Sequence, residues 1–131
     1  MSHHRLRWFT LSALIATLSV IGASAAFAYS SFVVESVSPS PFYPSQGQVT
    51  TITYTVPTTS SYRIAVRNSA GTEVCQLVNY VGQPAGRYTR NWNGKDRYGR
   101  IVPAGTYTVL VEGRVYKGRR GNASTKINTG Y

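Results

Sequence analysis

"NWNGKDRYGRIVPAGTYTVLVEG", residues 91–113, holds the densest turn chemistry in the chain and runs straight into an alternating strand. Trp92 stands where an inward-facing strand residue belongs, so it reads as a core anchor. Asn93-Gly94 is a tight-turn pair, because both residue types tolerate positive φ. Asp96 is placed to accept backbone N–H groups of the turn it opens, and Gly99 ends that turn where a Cβ is expected to clash. Ile101-Val102-Pro103 is a short extended piece, since proline cannot donate to a ladder and does not continue a central strand. Ala104-Gly105 re-aims the chain. Tyr107 then enters the last long strand, at a corner where a tyrosine hydroxyl often ties to nearby backbone. "TYTVLVEGRVY" puts Tyr107, Val109, Val111 and Val115 on one face. The stretch therefore predicts the corner of a β-domain, with a structural job for each residue.

Upstream the same period of two recurs, and no long 3.6-residue apolar stripe interrupts it. "SFVVESV", residues 31–37, is a first strand, and "SPSPFYPSQGQ" follows as an extended loop or edge with three prolines. "VTTITYTVP" turns Thr50, Ile52, Tyr54 and Val56 one way and Val49, Thr51, Thr53 and Thr55 the other. "YRIAVRN" points Tyr62, Ile64 and Val66 inward and Arg63 and Arg67 outward, and "NSAG" turns the chain at Gly71. "TEVCQLVNYV" is the next strand, broken by "GQPAG" at residues 82–86. In "RYTRNW", Tyr88, Arg90 and Trp92 share a face, which leaves Arg90 to reach for water at a rim. The pattern predicts an all-β, antiparallel immunoglobulin-like or fibronectin-III-like sandwich of about seven strands over residues 29–116. Residues 117–131, "KGRRGNASTKINTGY", are basic and poor in apolar groups. They read as a flexible tail or an edge strand around "STKIN", and their deletion is expected to leave the domain folded.

The first 28 residues have the layout of a secretory signal peptide: Arg5 and Arg7, an uncharged run from Trp8, and Ala26-Phe27-Ala28 at its end. Cleavage near Ala28 is expected to release a secreted chain, periplasmic, cell-surface or extracellular. The rival reading is an uncleaved membrane anchor, the one route to a membrane partner. Residues 29–131 then carry twelve cations against four acids, Glu35, Glu73, Asp96 and Glu112, and all ten tyrosines. Cys75 is the sole cysteine and lies in an apolar run, so no internal disulfide is available and a buried thiol is expected.

"AGRYTRNWNGKDRYGRIVPAGTYTVLV" resembles the signature of the immunoglobulin-like domain of the flagellar hook-capping protein FlgD, a domain found in many secreted bacterial proteins. The signature positions are Gly86, Trp92, Asn93, Gly94, Asp96, Gly99, Val102, Pro103, Gly105 and Tyr107. The likeness extends back over the first strands and the middle hairpin, about residues 32–115. It implies a module that connects, spaces or docks and seldom catalyses. The leader, and a mature chain that is essentially this one module, imply a role outside the hook cap. "PSQGQ" stands where many relatives have an acidic loop, so the resemblance brings no cation site there.

The chemistry left open is narrow. His3 and His4 are the only histidines and both fall in the leader, which excludes a Ser-His-Asp or Cys-His site from the mature chain. No metal-ligand cluster has the spacing for zinc, and Asn91, Asn93 and Asp96 look only faintly like a calcium loop. No enzyme, cofactor or metal is expected. Two roles remain. One is a structural or protein-interaction module bound to an envelope or extracellular protein. The other is a binding module for acidic polysaccharide or another polyanion, through Arg63, Arg67, Arg114, Lys117, Arg119, Arg120 and Lys126. No nucleic-acid-binding motif accompanies the charge.

Overall fold

The computed structural model describes residues 31–57, 60–114 and 119–131. The expected leader, Val115 and Lys117 lie outside the described residues. Seven strands follow in order: β1 Val33–Ser38, β2 Thr50–Val56, β3 Ser60–Arg67, β4 Glu73–Gln83, β5 Gly86–Trp92, β6 Gly105–Arg114 and β7 Arg120–Thr129. They form a three-stranded sheet, β1-β2-β5, and a four-stranded sheet, β4-β3-β6-β7, each antiparallel throughout. The all-β sandwich read from the sequence is the observed fold.

Alternation explains the core. Thr50, Ile52, Tyr54 and Val56 of β2 are buried, and they face Tyr62, Ile64 and Val66 of β3 and Tyr107, Val109 and Val111 of β6. Each such apolar side chain contributes about 1.5–3 kcal/mol on burial. Thr55 departs from the expected outward row: it is buried between Val33 and Arg87 in the register. At one end of the core, Tyr54 and Tyr62 pack edge to face at 5.7 Å. Their hydroxyls share a 2.8 Å hydrogen bond, and Tyr62 also donates to Gln83.

β4 runs further than expected, because Gly82 and Gln83 still pair with Ser61 and Ser60. Pro84 ends it, and only Pro84-Ala85 separates β4 in one sheet from β5 in the other. The Tyr88 hydroxyl donates to the Pro84 carbonyl at 2.7 Å and fastens this crossover.

The C-terminal segment is a full element. β7 pairs with β6 over ten positions, from Gly105↔Thr129 to Arg114↔Arg120. Ile127 is completely buried. The proline-rich segment crosses to this strand: the Phe42 N–H donates to the Asn128 carbonyl at 3.0 Å, and the Gly130 N–H donates to the Phe42 carbonyl at 2.9 Å. Low apolar content hid the strand, but its pairing needs backbone groups and one isoleucine in register. Of the two readings of residues 117–131, the edge strand is the one observed, over Arg120–Thr129, and it argues against their being dispensable.

Candidate functional site

The signature corner sits where β5 ends and β6 begins. Trp92 is buried between Phe42 and Tyr107, each ring edge-on with centroids 5.5 Å away. Its indole N–H donates to the Lys95 carbonyl at 3.1 Å. The Tyr107 hydroxyl donates to the Pro103 carbonyl at 2.6 Å, the tie expected at this corner. Asp96 accepts the N–H groups of Tyr98 and Arg100 at 2.9 and 3.0 Å, and its other oxygen accepts from the Arg100 guanidinium at 3.1 Å. The Arg100 N–H, then the Tyr98 N–H and the guanidinium charge, hold this carboxyl below the usual carboxylate range.

Two local expectations change. Gly99 has φ 78°, but a Cβ there would meet nothing within 4 Å, so the backbone angle selects glycine and a clash does not. At Gly94, with φ 75°, a Cβ would also run into the Pro44 ring. Asn93 does not share the positive φ; its Oδ1 accepts the Lys95 N–H at 3.1 Å. The loop is closed instead by Val102 N–H donating to the Gly94 carbonyl at 2.9 Å, and by a Lys95↔Ile101 bridge. It is also seated on β4, where the Arg97 N–H reaches the Val74 carbonyl and the Arg97 side chain reaches the Glu73 carbonyl.

The faint calcium-loop trio is absorbed by the same network. Asn91 Oδ1 accepts from the Thr51 hydroxyl, Asn93 Oδ1 from Lys95 and Asp96 from its own turn. Among the described residues, no three of His, Cys, Asp and Glu lie together as a metal group. Cys75 is buried, and that burial, with the Glu73 charge, pushes its thiol up to about 11. All four acids of the described chain are paired: Glu35 with Arg87, Asp96 with Arg100, and both Glu73 and Glu112 with Arg63.

That last pairing divides the basic residues read from the sequence. Arg63 is not a free cation. Its side chain is 13% exposed and bridges two carboxylates on neighbouring strands. Burial opposes its charge, but the two carboxylates outweigh burial and hold the guanidinium above its usual value. Arg67 and Lys126 line one concavity of about 400 Å³, with Thr106 and Thr108. Arg114 and Arg120, opposite each other across β6 and β7, line another of about 690 Å³. Arg119, just before β7, is exposed. Tyr80, in the plain strand that "TEVCQLVNYV" predicts, lines the second concavity and is 59% exposed. Register shifts between β3 and β4 on either side of Ile64 displace the simple alternation there. Its trace in the sequence is Asn79-Tyr80, a polar-aromatic break in the apolar run of β4.

The family model of the FlgD Ig-like domain matches residues 42–115, more than half of the 131-residue chain. Among solved structures, FlgD from P. aeruginosa is similar at 24% identity and a TM-score of 0.53, over 74% of this chain and 67% of that one. FlgD from Xanthomonas campestris, described in connection with hook capping essential for flagellar assembly, is similar at 19% identity and a TM-score of 0.50. That likeness spans 83% of this chain and 75% of the other. At these identities the structural likeness concerns the fold. No curated protein matches. The matched range takes in β2 through β6 and the whole corner around Trp92, and on that match this chain belongs to the family of FlgD Ig-like domains.

Proposed function

We propose that this protein is a secreted, non-catalytic module that docks to a protein of the bacterial envelope, the cell surface or an extracellular assembly. The observation that carries this reading is the corner itself. Its signature side chains, Trp92, Asn93, Asp96 and Tyr107, each make hydrogen bonds that hold the fold. A family whose most specific residues serve the scaffold uses its surface for function, and docking is the work such a surface does. The FlgD relatives, one of them tied by its description to hook capping, support protein partners as the mode. The sheets also end in borders, β4 and β7 on one and β1 and β5 on the other, to which an extended segment of a partner can add, on β7 away from the stretch that the Phe42 segment covers. The leader layout supports export.

Crosslinking in native cells followed by pull-down is expected to yield one dominant protein partner. Mass spectrometry of the exported chain is expected to find Tyr29 at its start. Hydrolysis of a polymer by the purified chain, lost in Asp96→Ala without loss of fold, would overturn the non-catalytic reading. A native pull-down with no protein partner would overturn docking.

A further inference from the structure

We propose that the outer face of the four-stranded sheet is a binding track for an acidic polysaccharide in which anionic groups are separated by neutral, hydroxylated units. The proposal goes beyond protein docking and rests on how charge is distributed over the two faces.

The outer face of the three-stranded sheet is neutralised. Its one cation, Arg87, is tied to Glu35 at 2.8 Å, and its neighbours are Thr51, Thr53, Thr89 and Asn91. The outer face of the four-stranded sheet carries Arg63, Arg67, Arg114, Arg120 and Lys126 against Glu73 and Glu112. Arg63 takes up both carboxylates. Arg67, Arg114, Arg120 and Lys126 have no ion-pair partner among the described residues. They are not scattered. Arg114 and Arg120 face each other in one row across β6 and β7, while Arg67 and Lys126 flank Thr108 in another. The rows lie six residue steps apart along β6, which is about 20 Å at the rise of an antiparallel strand.

Between these two cationic stations β3 and β6 carry the Arg63–Glu112 ion pair and the apolar Ala65 and Leu110, while the strip along β7 is neutral and polar. Asn122 and Ser124 are exposed along β7, and a ligand in this stretch meets amide and hydroxyl groups, the usual partners of sugar hydroxyls. Each station lies in a concavity, and the one at Arg114 and Arg120 is rimmed by the exposed Tyr80 ring. An exposed ring offers its apolar face to the C–H groups of a pyranose. A nucleic acid asks for something else: cations following every phosphate and several stacking aromatics. Here the charges are widely spaced and Tyr80 is the one tyrosine among the described residues that line the stations, so the geometry favours the glycan.

The test uses the full chain and hyaluronate, whose carboxylates sit on every second sugar, with dextran as the neutral control and a single-stranded polynucleotide as the anionic one. Binding to hyaluronate at low salt is expected, with none to dextran. Arg120→Gln and Lys126→Gln, one at each station and both exposed, should each weaken it roughly two- to fivefold, and together by the product. The salt dependence should flatten with each cation removed. Tyr80→Ala should weaken binding at unchanged salt dependence. The decisive comparison is Arg90→Gln with Lys95→Gln, two exposed cations off this face, which removes the same charge and should change affinity little. No binding to hyaluronate, or an equal loss in that control pair, overturns the proposal. So does tighter binding of the polynucleotide with the same sensitivity to Arg120 and Lys126.

Discussion

Trp92 is held from three directions: by Phe42 from the proline-rich segment, by Tyr107 from β6, and by the Lys95 carbonyl that its own turn presents. Trp92→Ala leaves a cavity that none of these can collapse into, and is expected to lower stability by about 3–5 kcal/mol in chemical denaturation. The two turn glycines separate two kinds of strain. Gly99→Ala imposes only the left-handed backbone penalty, about 1–2 kcal/mol. Gly94→Ala adds a collision with Pro44 and is expected to be the more damaging of the two. If Gly94→Ala melts no lower than Gly99→Ala, the packing of the corner against Pro44 is not as described. Asp96 makes a pH-dependent contribution. Its carboxyl titrates lower in the folded chain than in the unfolded one. The stabilisation is therefore complete above the unfolded value, about pH 4, and is lost as pH falls through the lower folded value. Asp96→Asn should melt below the parent at pH 7, and the gap should close on acidification below about pH 4.

At the scale of elements, β7 is the part whose role the sequence understated. It covers the whole of β6, anchors the Phe42 segment and places Ile127 in the core. A chain ending at residue 118 is expected to lose its cooperative thermal transition, because β6 then exposes a full row of backbone groups and the core loses a wall. Ile127→Ala alone should cost about 2–5 kcal/mol, as buried isoleucine truncations do. A truncated chain that still melts cooperatively with Trp92 buried would show that β7 is an accessory. The strand was half visible: "STKIN" has β-formers and one apolar residue, but a ten-residue strand made largely of Gly, Asn, Ala, Ser and Thr has little side-chain signature. Backbone pairing to a waiting edge supplies what composition does not.

At the scale of the molecule, charge is sorted. The four acids each hold an arginine, and the remaining cations of the four-stranded sheet stand free on its outer face. Arg63 and Arg67 look alike in "YRIAVRN" but differ in what they do. Arg63→Gln strands two partly buried carboxylates and is expected to destabilise by about 1.5–3 kcal/mol, the range for hydrogen bonds to charged groups. Arg67→Gln, at a half-buried site with no carboxylate partner among the described residues, should cost less, within about 1 kcal/mol. Thermal melts of the two variants side by side check this, and equal losses would mean that Arg63 is not the structural cation.

The period-two runs, the corner residues and the sandwich they build were legible in the residues, because turn chemistry and strand alternation act between near neighbours in the chain. So was the corner hydrogen bond of Tyr107, which spans four residues. The rest needed distant segments to meet. Pro44 makes Gly94 indispensable from fifty residues away. Glu112 lies on a strand that only the sheet order brings beside Arg63. β6 gives β7 its partner, and the β3–β4 register shifts accompany the exposure of Tyr80. Local patterns select which elements form, but which charges are neutralised and which remain free is decided by cross-strand neighbours, and those exist only once the sheets are assembled.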